Sequence, residues 1–591
     1  MLPRPRTHRA LTLAIMMAGA TGCDRAPTTA ADDGQWTMPA RDYAATRFSG
    51  LSEITAANAK DLRPTWSFST GVLGGHEGQP LVVGSTMYVV TPWPNVLYAF
   101  DLTQEGYPLR WKYRPFVDPQ AIGMACCDIV NRGAFYADGK IVFNLLDGHT
   151  VAVDAATGRE IWKTRVGDLN AGETTPMAPL VVKNRVIVGN AGGEMGVRGW
   201  VKGLDLGTGA ILWTGYNTGS DTDVLASPAT FKPFYQTGNG LALESWPRDG
   251  WKHGGAPVWG WLSYDAELDL VYYGTGNPAP YNADRRPGDN RWATSVLARH
   301  PGDGSLRWAY QFTPADNWDY DSTQEMILTE LTLGGRLRKV LVHFDKNGFA
   351  YVLDRATGEL LSAEPYVPVN WARRVDLATG RPEIDSTKLT GATRGVTKDI
   401  CPSLEGGKNQ QPAAYSPLTQ WFYLSTSNLC MDFEAVSTSY LAGTPYVGAS
   451  TPYTAGPGGH LGAFIAWDPV TSARAWEIKE PYPVWSGALT TGGGVVFYGT
   501  LDGWFKAVDA KTGAPLWKFK VGSGVVGNPI SFRGPDGRQY VAVYAGIGGD
   551  WFLISGDVRS DDPADVRAPA TFMPDIARHT SQGGIVWIFG L

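Results

Sequence analysis

The sequence predicts an all-β chain folded as an eight-bladed β-propeller, and three observations carry that expectation. A phrase of the form Asp, two residues, Thr-Gly, apolar, Trp recurs in about eight copies, most some 40–55 residues apart. Short alternating runs flank the copies, such as Lys140-Ile-Val-Phe-Asn-Leu and Val495-Val-Phe-Tyr-Gly-Thr. Few helical patterns occur in the 591 residues, whereas Gly 72 and Pro 40 supply many turns. Length alone suggests about four domains, but a repeat of this period replaces them with one array of four-stranded units.

The clearest copies are Asp154-Ala-Ala-Thr-Gly-Arg-Glu-Ile-Trp162, Asp205-Leu-Gly-Thr-Gly-Ala-Ile-Leu-Trp213 and Asp509-Ala-Lys-Thr-Gly-Ala-Pro-Leu-Trp517. Looser copies end at Trp66, Trp111, Trp308 and Trp476, and Asp354-Arg-Ala-Thr-Gly358 lacks the Trp. Asp-x-x-Thr-Gly reads as a hairpin turn, with the Trp opening the next strand. Indoles at equivalent places are expected to pack between neighbouring blades. Two wider gaps, near residues 214–300 and 362–470, read as loops decorating one face.

Arg4, Arg6 and Arg9 precede the apolar run Ala10 to Ala20, which is too short to span a bilayer. Ala20-Thr21-Gly22-Cys23 resembles a lipobox, although a large aliphatic residue is usual where Ala20 stands. Residues 1–22 therefore read as an export signal of lipoprotein type, with simple cleavage as the alternative. Residues 23–35 read as a linker and 36–591 as one propeller domain. The expected compartment is the periplasm, with a lipid tether through Cys23. A net charge of −6 argues against nucleic acid as a partner.

If Cys23 goes to lipid, four cysteines remain, and an exported protein meets oxidising conditions. Three pairings are possible. Cys126 and Cys127 are adjacent, and neighbouring Cα atoms lie about 3.8 Å apart, closer than the roughly 4.4–6.8 Å of ordinary disulfides. Two reduced thiols side by side are an equally open reading. Should Cys126 bond Cys127, Cys401 and Cys430 are left to each other. Glu194, Asn277, Asp319 and Asp321 are all oxygen donors, suited to a hard cation rather than zinc. Solvated loop carboxylates are the plain alternative at such separations.

Further motifs narrow the reading: Gly75-His-Glu-Gly78, Cys126-Cys-Asp-Ile-Val-Asn-Arg-Gly133, Gly193-Glu-Met-Gly-Val-Arg-Gly199, Gly276-Asn-Pro-Ala-Pro280, Trp318-Asp-Tyr-Asp321 and Tyr498-Gly-Thr-Leu-Asp-Gly503. In this order, and with the Trp repeat, the chain from Trp36 to Leu591 resembles the quinoprotein alcohol dehydrogenases. These are eight-bladed propellers with tryptophan-docking motifs that bind pyrroloquinoline quinone (PQQ) on their axis. The resemblance is closest to the lanthanide-dependent methanol dehydrogenases.

The resemblance implies a Cys126–Cys127 disulfide against one face of the quinone and Trp259 on the other. It implies cofactor contacts from Arg132 and Asn409, with Glu77, Ala191, Gly192, Gly193 and Trp485 near the ring or its carboxylates. Glycines there let backbone N–H groups approach closely. Gly189-Asn-Ala-Gly-Gly193 also echoes a phosphate loop, but no helix pattern follows it. By the same resemblance Glu194, Asn277 and Asp319 are metal ligands. Asp321, the second Asp of Trp318-Asp-Tyr-Asp321, marks the lanthanide type rather than Ca²⁺.

The implied chemistry is oxidation of methanol or another small primary alcohol. Asp319 would be the general base, and Lys346 the cation that stabilises the reduced oxygen. No Cys-x-x-Cys-His occurs, so electrons are expected to pass to a separate soluble cytochrome c. A homodimer is expected by analogy with lanthanide-type relatives. Pro176 and Pro257 stand where the family has Thr contacts to PQQ, Tyr281 stands where methanol dehydrogenases place a Trp beside the substrate, and Trp551 is displaced by one residue. The rival from another class is a non-catalytic propeller lipoprotein acting as an assembly scaffold. Such scaffolds need neither adjacent cysteines nor the carboxylate cluster.

Overall fold

The computed structural model describes Met1 and residues 32–236, 238–549, 573 and 575–591. The export signal with Cys23, and Trp551, lie outside the described residues. Within them the chain runs through successive antiparallel four-stranded meanders. The first comprises Leu81–Val83, Thr86–Val90, Leu97–Asp101 and Leu109–Tyr113. Others follow over residues 134–165, 180–216, 262–311, 327–365, 414–480 and 489–520. In the last one, Ile530–Arg533, Gln539–Ala545 and Ile585–Gly590 are joined by Arg63–Ser69 from near the start of the chain.

Side-chain pattern explains the radial order within each meander. The second strand is apolar and wholly buried, as in Thr86–Val90 and Val495–Gly499. The fourth alternates charge with aromatic residues, as in Leu109–Tyr113 and Pro515–Lys520, and is largely exposed. A strand buried on both faces needs a continuous apolar run, whereas an edge strand keeps one face for water.

The repeated phrase forms the turn before that outer strand. Oδ1 of Asp154 accepts from the amide and hydroxyl of Thr157, both at 2.8 Å, and Asp205 and Asp509 do the same with Thr208 and Thr512. These bonds satisfy turn amides that have no ladder partner. A register shift follows in the outer strand just before each Trp, at Glu160/Trp162 for example. Such bulges re-aim a side chain, and here the indole lands on the next meander. Trp111 donates its Nε1 hydrogen to Ala155 O, Trp162 to Leu206 O, Trp213 to Pro301 O and Trp476 to Ala510 O.

Glycine is required where those rings sit. Gly158, Gly209, Gly304 and Gly513 have φ of +70° to +74°, and a Cβ on any of them would lie 2.5–2.8 Å from the docked indole. Trp308 rests on Gly358 in the same way. The meander that lacks the Trp meets its successor through Phe344 and Phe422, 5.5 Å apart. Trp517 bonds Leu62 O beside the shared sheet, and Trp66 of that sheet bonds Gly106 O of the first meander. The contacts therefore close into a ring, the propeller expected from the repeat.

The wider gaps hold more than loops. Residues 366–413 include a hairpin, Ala372–Asp376 with Arg381–Ile384. A further sheet joins Val396–Ile400, Leu429–Ala435, Ala449–Ser450 and Tyr453–Ala455, and Cys401–Cys430 crosslinks it. Short strands with mixed polarity gave no alternation strong enough to announce this sheet.

Replacing Gly209 with Val is expected to destabilise the protein by about 2–4 kcal/mol, a left-handed backbone penalty plus an overpacking penalty. Gly139→Val, at φ +70° with nothing within 4 Å, should cost only the backbone part. Thermal melts of the two variants against the parent would show this difference; equal losses would remove the indole from the account.

Candidate active site

Asp319 is placed by the turn that carries it. Oδ1 of Asp316 accepts from Trp318 N at 2.9 Å and its Oδ2 from Tyr320 N at 3.0 Å, so one carboxylate holds the amides on both sides of Asp319. Asp319 itself has a left-handed backbone, φ +66°, a conformation a non-glycine residue keeps only when its surroundings impose it. Trp318 and Tyr320 flank it as buried anchors, donating to Lys388 O and Pro402 O. The Asp316 carboxyl is pushed up to about 6 by burial, against the pull of Arg286.

Glu194 sits in the short 3-10 turn Gly193–Met195, between left-handed Gly192 and Gly196. Asn277 follows Gly276 on a neighbouring loop. Pro257 packs its ring carbons against both, since a Cβ on Gly193 or on Gly276 would fall 3.1 or 2.8 Å from Pro257 Cγ. A Cβ on Gly193 would also meet Asn277 Oδ1 at 2.9 Å. Glycine thus lets the loop of Glu194 approach the amide of Asn277.

These loops bring Glu194, Asn277, Asp319 and Asp321 together. Asn277 N donates to Asp321 Oδ1 at 2.6 Å. Lys346 Nζ lies 2.7 Å from Asp321 Oδ2 and 3.1 Å from Asp319 Oδ2. The lysine is only 3% exposed, so it is not the surface residue that its turn sequence would equally allow. Burial alone would lower its pKa, but Asp319, Asp321 and Glu405 outweigh that and hold it well above its ordinary value. Burial drives the Asp319 carboxyl well above the usual carboxylate range; Lys346 opposes this, while Asp321, Glu194 and Asp316 add to it. Three carboxylates facing one ammonium leave excess negative charge in a desolvated place.

Asn277 Oδ1 is buried and accepts no hydrogen bond among the described residues. An orphan amide oxygen beside three carboxylates, with no thiolate or imidazole in the group, fits a hard, highly charged cation.

The cluster borders a cavity of about 780 Å³, which Cys126, Cys127, Trp259, Arg132, Ala191 and Gly192 also line. Cys126 and Cys127 are bonded to each other. Asp128, the next residue, accepts from Gly75 N and Gly549 N at 2.9 Å through one oxygen, which ties the disulfide turn to two other loops. The Arg132 guanidinium lies 5.0 Å over the Trp259 ring, donates to Trp259 O at 3.0 Å and pairs with Glu77 Oε2 at 2.8 Å. Its Nε is buried with no acceptor among the described residues, a donor free for an anionic group. A planar polycarboxylate fits such surroundings: flat apolar walls, a guanidinium and glycine backbone.

Asn409 lines the cavity and donates to Glu405 Oε2 at 3.1 Å. Glu77 reaches the cavity through Arg132. Trp485 is fully buried in the apolar cluster with Leu429, Leu501 and Val526. Tyr281 lines the cavity; burial lifts its phenol well above the ordinary value, and Asp319, Glu194 and Asp321 reinforce that. Thr174 and Pro176 also line it, whereas Thr175 spends its hydroxyl on Leu145 O at 2.6 Å. The sequence reading missed Glu405, which binds both Asn409 and Tyr453; an isolated Glu in Leu404-Glu-Gly-Gly407 carries no local signal. Among the described residues no helix is long and apolar enough to cross a membrane.

Comparison with known proteins agrees with this geometry. Residues 36–373 and 460–541 match the family described as "Glucose/ethanol/alcohol dehydrogenase, beta-propeller domain" of the PQQ proteins. The chain is 51% identical to the lanthanide-dependent methanol dehydrogenase of Methylacidiphilum fumariolicum (strain SolV), over 95% of this chain and 93% of that protein. It is 41% identical to subunit 1 of the methanol dehydrogenase [cytochrome c] of Paracoccus denitrificans, over 100% and 96% of the two chains. A solved europium-containing methanol dehydrogenase superposes with a TM-score of 0.91 at 50% identity, covering 94% of this chain and 98% of that one. The chain belongs to the PQQ-dependent alcohol dehydrogenase family.

Proposed function

We propose that this protein oxidises methanol or another short primary alcohol to the aldehyde, using PQQ and a lanthanide ion, and passes the electrons to a separate soluble cytochrome c. The observation that carries the proposal is the buried group of Glu194, Asn277, Asp319 and Asp321, set beside Lys346 on one cavity with the Cys126–Cys127 disulfide and Trp259. The quinone would lie between the disulfide and Trp259, its carboxylates met by Arg132, Asn409 and the backbone at Ala191, Gly192 and Gly193. Glu77 supports that wall through Arg132, and the family resemblance sets Trp485 near the ring.

When bound, PQQ supplies a carbonyl carbon that accepts hydride, and the cation acts on it as a Lewis acid. Asp319 takes the proton of the alcohol hydroxyl. Lys346 holds positive charge beside it through the reaction. Tyr281 bounds the place where the alcohol's carbon sits. The fourth oxygen ligand, Asp321, favours a trivalent lanthanide over Ca²⁺, because each added anion is worth more to the higher charge.

The meanders number eight among the described residues, and each reads as one blade. The indole contacts between them read as tryptophan-docking motifs. The cytochrome acceptor is supported by the name of the Paracoccus relative, a methanol dehydrogenase [cytochrome c] subunit. Periplasmic export and a lipid at Cys23 rest on the sequence, and a homodimer on analogy with lanthanide-type relatives.

Asp319→Asn should lower kcat by about 10²–10⁴-fold while PQQ absorbance and bound metal persist; full activity in that loaded variant would refute the base assignment. Asp321→Ala should weaken La³⁺ binding at least about tenfold and lose La³⁺-supported turnover. Metal titration of the PQQ-loaded protein, with dye-coupled assays under La³⁺ and Ca²⁺, measures both effects. Wild-type behaviour with La³⁺ would reject the lanthanide assignment.

A further inference from the structure

One segment of the cavity wall comes from neither the repeat nor the motifs. After Leu429–Ala435 the chain leaves the sheet, crosses the cavity over residues 436–448 and returns through Ala449–Ser450 and Tyr453–Ala455, both paired back to Leu429–Ala435. Pro445, Val447, Ser450, Thr451, Pro452 and Tyr453 line the cavity from this side.

The crossing is fastened at five places. Tyr446 N donates to Glu194 O at 2.6 Å, on the turn that carries the carboxylate. Tyr281 N donates to Val447 O at 2.7 Å, and Asn282 Nδ2 to Val436 O at 3.1 Å. The Tyr440 ring stacks on His253 with centroids 3.6 Å apart and meets Tyr446 edge-on. Gly443 lies against Asn170 O and the Met124 side chain. An arch held to five separate stretches of chain is a fixed roof, not a floppy cover.

Val447 is an apolar residue of this roof that lines the cavity and is tied to Tyr281, another lining residue. Its carbonyl is bonded by Tyr281, whose phenol interacts with Asp319, and its side chain packs with the apolar cluster that contains Tyr281. A β-branched side chain has few rotamers, so it cannot swing aside for a longer ligand.

We infer that the roof over residues 436–455 sets the length of alcohol the site accepts, with Val447 as the wall that meets the alkyl chain. This rests on the alcohol-oxidising reading above. A one-carbon substrate leaves Val447 untouched, whereas each added methylene extends toward it.

The test is kcat/KM for methanol, ethanol and 1-butanol, measured on the PQQ- and metal-loaded protein and on Val447→Ala, Val447→Leu and Tyr440→Ala. Val447→Ala should shift the butanol-to-methanol ratio of kcat/KM upward by at least about tenfold, and Val447→Leu should shift it downward. Tyr440 lies outside the cavity lining. Its replacement loosens the roof and should move the ratio upward in a milder way, which keeps the inference testable if the Val447 variants fold poorly. A purely structural role would lower all three alcohols together and leave the ratios fixed. Unchanged ratios in an active enzyme would overturn this inference alone, while no turnover of any alcohol by the loaded parent protein would overturn the functional reading beneath it as well.

Discussion

The structure depends on an indole set against a glycine. Trp111, Trp162, Trp213 and Trp476 each fix one sheet against the glycine turn of the next, through a ring face and an N–H bond that fix distance and angle together. The contact leaves no room for a Cβ, so the turn and the ring must be specified as a pair. Because the pairs run around a closed ring, an error in one joint cannot be relieved at a free edge. Loops from sheets distant in sequence therefore meet at the centre with a fixed spacing. Glu194, Asn277, Asp319 and Lys346 come from four different stretches of chain and still approach within a few ångströms of one another.

That precision serves a group that is costly to bury. Carboxylates out of water raise one another's pKa, and Lys346 offsets only part of the excess. The protein accepts the cost locally and spreads its support. Asp316 holds the strained turn of Asp319, Arg286 faces Asp316, and the amide of Asn277 engages Asp321. A second buried pair, Lys408 with Glu325 at 2.7 Å, is fully neutralised and carries no comparable excess. The contrast separates a one-to-one ion pair from a cluster with more carboxylates than cations.

The fold was legible because its signal repeats. Asp154, Asp205 and Asp509 each announced the same turn, and one weak copy such as that at Trp308 was recoverable from the others. The site was legible in a different way. Nothing in the spacing of Glu194, Asn277, Asp319 and Asp321 brings them together; the neighbouring motifs did, through family resemblance. Arg132 and Asn409 were found by the same route. Glu405 and the roof were not found, because their contacts run between segments with no local pattern: Glu405 reaches Asn409 and Tyr453, and Tyr446 reaches Glu194 through backbone atoms alone. A hydrogen bond to a carbonyl leaves no mark on residue identity.

The substitutions that looked like losses in the sequence become packing decisions in the structure. Pro257 brings no hydroxyl to the cavity, yet its ring fills the space between Gly193 and Gly276, and its carbonyl accepts from Gly276 N at 2.7 Å. A rigid ring there sets the separation of the two turns that carry Glu194 and Asn277. Pro176 also lines the cavity, and its carbonyl takes the main-chain amide of Arg132 at 2.9 Å, a bond that does not depend on the proline ring. Tyr281 joins these positions to the roof, since its backbone binds Val447 and its phenol interacts with Asp319. The loops of Glu194 and Asn277, the Asp319 carboxylate and the roof are therefore one mechanical unit, and under the proposed function a change of alcohol size cannot be separated from the spacing of these residues.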